Sequence, residues 1–242
     1  MSRTALVTGG SRGIGAAIAL RLAQEGADVA ITYVRSEEAA QEVVRKIEAA
    51  GRRGVALRSD AAGSEGAASA VGRAADALGR LDILVNNAGV GVLGPVDSLA
   101  TADVDRVLAV NVRAVFLASQ AAAARMERGG RIVSIGSCMT KYVPGPGGSL
   151  YAMSKSALTG LTKALARELG PRGITANLIH PGPIDTDMNP SDSPYAPAQK
   201  AGTALDRFGT AEEVASLVAY VTSDEASYIT GAELAVDGGH AA

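Results

Sequence analysis

The 242-residue chain contains no Trp, and aromatic residues make up only 3% of it. Proteins that bind single-stranded nucleic acids commonly stack bases on aromatic side chains, so this shortage argues against a binder of that kind. The core must instead be built from Ala, Val, Leu and Ile, and such small side chains predict closely packed elements.

Cysteine and histidine are scarce: Cys138 is the only cysteine, and His180 and His240 are the only histidines. A single cysteine cannot form an intramolecular disulfide, and these three residues cannot assemble a Cys/His zinc cluster. We therefore expect no metal site and a reducing compartment.

The sequence has neither a basic cluster nor a long apolar segment. Its 23 Lys and Arg residues are balanced by 25 Asp and Glu residues, for a net charge of -2, and this disfavours a nucleic-acid partner. No stretch approaches the ~18 uninterrupted apolar residues of a membrane span. The strand-like start at Ala5-Leu6-Val7 is unlike a signal peptide. We expect a cytoplasmic protein without a nucleic-acid or membrane partner.

The composition and the apolar pattern predict one globular α/β domain spanning residues 1–242. Short β-branched or aliphatic runs alternate with longer segments in which apolar residues recur every three or four positions, which is typical of a parallel sheet flanked by helices. The expected fold is doubly wound, with about six helices and with strands at Thr4–Thr8, Asp28–Tyr33, Gly54–Ser59, Leu81–Asn86, Arg131–Ile135, Ile174–Ile179 and Ala232–Val236.

Two segments rich in Gly or Pro, about 138–150 and 183–207, interrupt this alternation. Both follow predicted strands, and ligands of doubly wound folds bind beyond the carboxyl ends of the strands. We interpret the two segments as walls of a substrate site, although ordinary surface connections have the same composition. A loop as long as the second is usually functional in a compact domain.

The first predicted strand leads into Thr8-Gly9-Gly10-Ser11-Arg12-Gly13-Ile14-Gly15, after which a helix is expected. The glycines allow the backbone to turn sharply and approach a pyrophosphate, and the amides of the helix N-terminus supply partial positive charge. A tight strand-to-helix turn without a ligand could have the same sequence.

The end of the second strand favours NADP(H) as the ligand of this loop. An NAD-binding protein of this fold usually has an acidic residue there, against the ribose 2′-hydroxyl. Here Arg35 and Ser36 follow the strand, and no carboxylate occurs before Glu37. Arg35 could bind a 2′-phosphate, with Ser36 donating and Arg12 approaching from the glycine loop. An exposed arginine at a helix start would have the same sequence.

Tyr151 and Lys155 lie four residues apart at the start of a predicted helix, and therefore on one face of it. A Tyr side chain has a pKa of about 10 and is a poor acid–base group at neutral pH, but an adjacent ammonium favours the phenolate. The pair could therefore transfer a proton, although the same spacing often occurs by chance.

Together these motifs resemble those of the short-chain dehydrogenase/reductase family, and the resemblance covers essentially the whole chain. It implies a Rossmann fold and hydride transfer between a nicotinamide and a carbonyl or secondary alcohol. The family's fingerprints occur in order: Thr8–Gly15, Asp60, Asn86-Asn87-Ala88-Gly89, Asn111, Ser137, Tyr151-x-x-x-Lys155, Pro181-Gly182-Pro183-Ile184-Asp185-Thr186, Thr230-Gly231 and Val236-Asp237-Gly238-Gly239.

The resemblance also implies the roles of these residues. Ser137 would hydrogen-bond the carbonyl oxygen, and Tyr151 would deliver the proton. Lys155 would lower the pKa of Tyr151 and hold the nicotinamide ribose, while Asn111 would hold a water that resupplies the proton. No role is assigned to His180. The cofactor contacts would come from Gly9, Ser11, Arg12, Gly13, Ile14, Gly15, Arg35, Ser36, Asp60, Ala61, Asn87, Ala88, Gly89, Tyr151, Lys155, Pro181, Gly182, Ile184 and Thr186.

Mostly apolar side chains are expected at the open end of the nicotinamide site: Val90, Val92, Met139, Tyr142, Met188 and Tyr195. Lys141 is the only cation nearby in the first loop, whereas the second loop is acidic through Asp185, Asp187 and Asp192. A small free carboxylate should therefore be repelled, and we expect a neutral carbonyl substrate.

The leading interpretation is an NADPH-dependent ketoreductase that acts on a 3-oxoacyl or other neutral carbonyl compound. Within the family the sequence is most similar to 3-oxoacyl-acyl-carrier-protein reductases, which have basic residues near the carrier docking surface where Arg128 and Arg172 fall. A stand-alone carbonyl reductase fits about equally well. The alternative from another class is a dinucleotide-binding sensor or regulatory protein with little or no turnover.

The resemblance further implies a homotetramer. Small residues at the Gly- and Ala-rich C-terminus and on the helix after Val110 would permit close contact between subunits, and closed symmetry is common among soluble oligomers. On that helix they are Ala118, Ala121, Ala122 and Ala123.

We predict that NADPH is preferred over NADH because Arg12, Arg35 and Ser36 can all donate to a 2′-phosphate. Charged hydrogen bonds contribute roughly 1.5–3 kcal/mol each, so one or two of them correspond to about 10- to 1,000-fold discrimination. Steady-state kinetics with each cofactor measure this ratio, and equal kcat/KM values would contradict the prediction.

Overall fold

The computed structural model describes residues 2–63 and 66–242. These residues form the strands Thr4–Val7 (β1), Asp28–Tyr33 (β2), Gly54–Arg58 (β3), Ile83–Asn86 (β4), Arg131–Ile135 (β5), Thr175–Pro181 (β6) and Glu233–Val236 (β7). Their α-helices are Gly13–Gln24 (α1), Glu37–Ala49 (α2), Gly66–Leu78 (α3), Thr101–Leu108 (α4), Ala114–Ala123 (α5), Ser149–Leu169 (α6), Ala196–Ala201 (α7) and Ala211–Thr222 (α8).

The strands form one parallel sheet in the order β3-β2-β1-β4-β5-β6-β7. β1 pairs with β2 on one side and with β4 on the other, so that Val7 is opposite both Ile31 and Val85. The strand order reverses between β1 and β4, and doubly wound sheets bind their ligands beyond the carboxyl ends of the strands at such a point. The predicted Rossmann-type fold is confirmed.

Apolar strands covered on both faces place the sheet at the centre of the molecule. Every residue of β1 and β4 is buried, as expected for parallel strands between two helical layers. Helices α1, α2 and α8 pack on one face, and α3, α5 and α6 pack on the other. This rigid centre leaves the loops at the carboxyl ends of the strands to form the site.

The 183–207 segment is not a simple loop, because it contains helix α7. Pro197 lies in the first turn of this helix, where proline is tolerated because its missing amide would have no intrahelical partner. The other segment, 138–150, begins with a 3-10 turn at Cys138–Thr140 and ends in the first residues of α6. The irregular part of each segment is therefore shorter than its Gly and Pro content suggests.

The alanines expected at a subunit interface face the chain's own core instead. Ala118 and Ala122 are 1% and 0% exposed, and Ala121 and Ala123 pack against the same cluster as α3. The small residues of α5 serve the close contact between α5 and α3 within one subunit. They do not support a tetramer.

None of the helices formed by residues 2–63 and 66–242 is both long and apolar enough to cross a bilayer.

Candidate active site

The glycine loop lies at the carboxyl end of β1 and is held against β2. The Gly9 amide donates to Thr32 Oγ1 and the Gly10 amide donates to the Thr32 carbonyl oxygen, both at 2.9 Å. Gly9 and Gly13 have φ angles of +66° and +53°, a region that glycine adopts without strain. A Cβ at Gly15 would overlap the Gly9 carbonyl oxygen. The loop and the start of α1 can therefore approach one another only with glycine at position 15.

Thr8 and Asn87 tie this loop to the end of β4. Thr8 Oγ1 accepts hydrogen bonds from the amides of Asn87 and Ala88, each at 3.0 Å. In return, Asn87 Nδ2 donates to the carbonyl oxygens of Thr8 and Gly9 at 2.9 and 3.1 Å. Thr8 thus has a structural role that the motif alone did not reveal. Its position directly before two glycines was the only available signal.

Two of the residues expected to contact the cofactor, Ala61 and Ala88, lie at one cavity. Ala61, Ala88 and Val110 line it together with Thr32. Asp60, the residue before Ala61, holds the chain at this point, since its Oδ1 accepts a hydrogen bond from the Ala62 amide at 2.9 Å.

The residues expected to bind a 2′-phosphate are exposed beside the glycine loop. Arg12 lies 3.5 Å from Asp187 across the cleft, and about two thirds of each side chain is exposed, at 65% and 67%. Arg35 is also exposed. Ser36 is the N-cap of α2, but within the described residues its side chain caps none of that helix's amides. The donor set suits a phosphate, although Asp187 competes for Arg12.

Ser137 follows β5 and caps the 3-10 turn at Cys138–Thr140. Its Oγ accepts a hydrogen bond from the Met139 amide at 3.2 Å. A hydroxyl oxygen that accepts one hydrogen bond can still donate its own proton, which is the capacity that a donor to a carbonyl oxygen requires.

Tyr151 lies in the first turn of α6, and the structure brings it together with Ser137. Burial raises the pKa of Tyr151, and a hydrogen bond with the Ser137 side chain opposes this rise. Lys155 Nζ is 5.9 Å from the centre of the Tyr151 ring. In this structure burial rather than Lys155 determines the pKa of the phenol.

Lys155 is a buried ammonium with unused hydrogen-bonding capacity. It donates to the Ile135 carbonyl oxygen at 2.8 Å, and burial lowers its pKa to about 8. An ammonium has three donors, and among the described residues Ile135 provides the one bonded acceptor. A pair of ribose hydroxyls would satisfy the remaining donors, so this side chain fits a nicotinamide nucleotide.

Asn111 lies in a π-helical turn at Ala109–Arg113, and its side chain is fully buried. Its Oδ1 accepts from the Val90 amide, and its Nδ2 donates to the Val90 carbonyl oxygen and to Ser154 Oγ, all at 2.9 Å. Both amide donors are thus used within the protein. Asn111 holds the segment after β4 against α6, and a water could bind only its remaining acceptor positions.

The end of β6 completes the cofactor side of the cleft. A Cβ at Gly182 would lie 2.6 Å from Asp237 Cα, so glycine is required where β6 meets the segment after β7. Ile184 is 5% exposed and bridges to Gly209. The side chain of Thr186 lies against Gly13. Of this segment, Thr186 therefore lies beside the glycine loop.

The residues expected to contact substrate surround an open site. Val90, Val92 and Met139 are half-buried, whereas Tyr142, Met188 and Tyr195 are 51%, 65% and 75% exposed. The outer side chains are therefore not enclosed in a preformed pocket.

His240 links the two segments that are expected to line the substrate site, residues 138–150 and 183–207 (the substrate segments). The Tyr142 ring packs edge-on against the His240 ring, with the ring centres 5.8 Å apart, and His240 Nδ1 lies 3.1 Å from the Gly202 carbonyl oxygen. The first segment contributes Tyr142 and the second contributes Gly202.

Lys141, the cation of the first segment, is already paired. Its Nζ lies 3.0 Å from Glu233 Oε2 at the start of β7. The positive charge is therefore balanced by a carboxylate that the sequence did not place nearby. Within the described residues, no cluster of three or more His, Cys, Asp or Glu side chains is arranged to hold a metal ion.

The chain is similar to several named proteins. A family model described as Enoyl-(Acyl carrier protein) reductase matches residues 9–241. The cyclic-di-GMP-binding biofilm dispersal mediator protein of Escherichia coli (strain K12) is 44% identical over 236 residues, which cover 98% of this chain and 96% of that protein. A 3-oxoacyl-[acyl-carrier-protein] reductase of Staphylococcus aureus (strain Mu50) is 39% identical over 242 residues, which cover 99% and 98%.

The crystal structure of a short chain dehydrogenase from Burkholderia cenocepacia J2315 in complex with NADP has a TM-score of 0.98 to this structure. The two sequences are 57% identical, and the match covers 99% of this chain and 98% of that one.

Proposed function

Because the chain belongs to the short-chain dehydrogenase/reductase family, we propose that it is an NADPH-dependent ketoreductase, which reduces a neutral carbonyl compound to a secondary alcohol. The observation that carries the proposal is the buried ammonium of Lys155, one helical turn after Tyr151. It lies 5.9 Å from the centre of the Tyr151 ring and donates to the carbonyl oxygen of Ile135, two residues before Ser137. A hydroxyl donor, a phenol and a cation in this arrangement suit general acid catalysis at a carbonyl oxygen.

The chain's own residues would stabilise charge on the substrate oxygen and supply the proton. When bound, the reduced nicotinamide would supply the hydride. The Ser137 hydroxyl donates to the carbonyl oxygen as negative charge develops there. Tyr151 then gives its proton to that oxygen, and the positive end of the α6 dipole stabilises the phenolate that remains.

Lys155 and Asn111 would assist this proton transfer without contacting the substrate oxygen. The unused donors of the Lys155 ammonium hold the ribose hydroxyls and, by charge, stabilise the Tyr151 phenolate. Asn111 keeps the segment at Val90 at a fixed distance from α6 through Ser154. With both amide donors occupied, its contribution to proton resupply is limited to the remaining acceptor positions.

NADP(H) is the proposed cofactor. Arg12, Arg35 and Ser36 lie at the ends of β1 and β2 and present donors at the surface. The predicted cofactor agrees with the Burkholderia cenocepacia dehydrogenase, which is bound to NADP. The cofactor's 2′-phosphate would displace Asp187 from Arg12, since a phosphate carries more charge than a carboxylate.

The proposed substrate is a free neutral ketone, or a small 3-oxo ester or thioester. Lys141 is paired with Glu233 and would have to leave that carboxylate to bind an acidic substrate. Arg172 donates to the Met126 carbonyl oxygen at 2.7 Å and lies just beyond the far end of α6. Tyr151 is about 27 Å from that end along the helix. A carrier protein docked on Arg128 and Arg172 would therefore be remote from the active site of the same chain.

A second candidate is a nucleotide-binding regulatory protein with little turnover. The observation in its favour is the 44% identity to a protein named for binding cyclic-di-GMP. The complete set of Ser137, Tyr151, Lys155 and Asn111 favours catalysis, because a protein without turnover has no physical need for all four. NADPH oxidation with a panel of ketones, beside calorimetric titration with cyclic-di-GMP, separates the two candidates. Binding of cyclic-di-GMP without NADPH oxidation would reject the reductase.

A homotetramer is proposed as the oligomeric state, from membership of the family. Phe116 on α5 and Met153 on α6 are 50% and 52% exposed, and burying such side chains between subunits would stabilise an assembly. Light scattering at micromolar concentration is expected to give four times the 24.3 kDa chain mass. A monomer under these conditions would rule the assembly out.

The substitution Tyr151→Phe is expected to remove turnover and to spare cofactor binding. Only the phenolic oxygen is lost, and general acid catalysis is typically worth ~10²–10⁴-fold, so kcat should fall at least that far. NADPH affinity, measured by fluorescence of the bound nucleotide, should stay within about threefold because the glycine loop and Lys155 are unchanged. Residual activity above about a tenth of the parent's would indicate another proton donor.

Ethyl acetoacetate is expected to be reduced more efficiently than acetoacetate. The acid would bring an unpaired charge to the outer part of the site, where Lys141, the cation of the first segment, is held by Glu233. An uncompensated buried charge costs several kcal/mol, so the preference in kcat/KM should be about tenfold or more. Equal efficiency would mean that Lys141 leaves Glu233 to bind the carboxylate. Loss of acetoacetate reduction in Lys141→Met would then identify it as the anchor.

A further inference from the structure

His180 lies directly behind the backbone of Ser137. It is 2% exposed and belongs to β6, the strand next to β5. Its Nδ1 is 3.3 Å from the Ser137 amide nitrogen, 3.0 Å from the Ser137 carbonyl oxygen and 3.2 Å from Thr140 Oγ1. One ring nitrogen therefore contacts both ends of the turn that carries Ser137.

The other ring nitrogen contacts an anchored carboxylate. His180 Nε2 lies 3.2 Å from Glu233 Oε2. Glu233 also binds Lys141 and Lys163, each at 3.0 Å, and Thr159 Oγ1 at 3.1 Å. Burial opposes ionisation of Glu233, but these four partners outweigh it and lower its pKa to about 2. The carboxylate is therefore charged and held from α6, β6 and the first substrate segment.

This arrangement selects one tautomer of His180. A proton on Nε2 donates to Glu233, whereas a bare Nε2 would place its lone pair against the carboxylate. Burial lowers the pKa of His180, with Glu233 opposing that effect, so the ring is neutral near pH 7. Nδ1 is then an acceptor for the Ser137 amide and the Thr140 hydroxyl. The Ser137 carbonyl oxygen, 3.0 Å from Nδ1, favours the opposite tautomer, but the charged carboxylate of Glu233 and the two donors outweigh a neutral carbonyl.

Gly136 provides the space for this contact. A Cβ at position 136 would lie 2.6 Å from His180 Nδ1, so any larger residue would push the ring away from Ser137. The Gly136 amide is itself bonded to the Ile179 carbonyl oxygen at 2.7 Å. The chain thus approaches His180 closely at the residue before Ser137.

We propose that His180, held by Glu233, is a positioning residue that fixes the Ser137 peptide and the following turn, so that the Ser137 hydroxyl is aimed at the substrate carbonyl oxygen. The inference rests on the proposed reductase function. The ring would act through backbone and not touch substrate. Misplacement of a reacting group by about 1 Å can cost ~10²-fold in rate, so a loosened turn would lower kcat.

Two substitutions separate the two contacts of the ring. In His180→Asn the side-chain oxygen can take the place of Nδ1 and still accept from Ser137, but it cannot reach Glu233. In His180→Gln the longer side chain can reach Glu233, but it leaves the Ser137 amide without its acceptor. The matched control is Lys163→Met, which removes one partner of Glu233 Oε1 and leaves the His180 contact intact.

The kinetic expectation follows from these contacts. His180→Gln should lower kcat about tenfold or more, with KM and NADPH affinity changed less than about threefold. His180→Asn should keep kcat within about threefold of the parent, and Lys163→Met within about twofold. Equal losses of kcat in the two His180 variants, or no loss in either, would overturn the proposal.

A second readout does not depend on turnover. With only two histidines in the chain, long-range ¹H–¹⁵N correlation with a His240→Gln variant assigns the tautomer of His180. The expected result is a protonated Nε2, together with a Ser137 amide shift that changes in His180→Gln and not in Lys163→Met. A protonated Nδ1 at neutral pH, or an unchanged Ser137 shift, would overturn the inference.

The two readouts distinguish failure of this inference from failure of the proposed function. If the parent protein fails to oxidise NADPH with every ketone of the panel, the reductase function is rejected, and with it a positioning role for His180 in that reaction. Parent protein that turns over while His180→Gln matches it in kcat rejects the inference alone.

Discussion

The hydrogen bonds of the Asn87 side-chain amide hold the glycine loop against the end of β4, and the remainder of the site depends on this contact. β1 and β4 flank the point where the strand order reverses, so a crevice opens between them. The contact closes the base of that crevice and sets the distance between the glycine loop and Gly89. Gly89 in turn lies next to the Lys155 ammonium. Gly15 is part of the same constraint, because a Cβ there would overlap the amide of Asn87.

Burial has opposite effects on the two ionisable groups of the site. It raises the pKa of Tyr151 and lowers that of Lys155, so it disfavours the charged form of each. The phenol therefore stays protonated until another positive charge or a developing oxyanion is near. A buried acid of this kind holds its proton in the resting state and releases it when the substrate oxygen becomes basic. The same low-dielectric surroundings would strengthen a hydrogen bond from the Ser137 hydroxyl to the substrate carbonyl oxygen.

Much of the sheet could be predicted because its strands are continuous apolar runs. The predicted bounds of β2 and β5 agree with the structure to the residue. Helix α7 could not be predicted in this way, since a proline such as Pro197 is common both in loops and in first helical turns. The alanines of α5 have no feature that distinguishes a core helix contact from a subunit contact, and the interface interpretation of Ala118 and Ala122 was wrong.

In the site, as in the sheet, residues with a local sequence pattern could be predicted and residues without one could not. Residues that share a local motif, such as Tyr151 and Lys155, could be placed from their spacing. The role of His180 depends on Glu233, which is 53 residues away in the chain, and no local pattern links them. Their contact arises because β6 and β7 pair with Glu233 opposite Leu178, two residues before His180 and on the same face of the sheet. Contacts of this kind require the fold to be known first.

The placement of His240 between the two substrate segments makes those segments interdependent. Its ring packs on Tyr142 of the first and its Nδ1 lies beside the Gly202 carbonyl oxygen of the second. Residues that share a partner show non-additive effects of roughly 0.5–3 kcal/mol. Substitutions that alter substrate range should therefore show epistasis between the segments. Directed evolution of either segment would sample only part of the accessible specificities unless both segments and His240 were varied in one library.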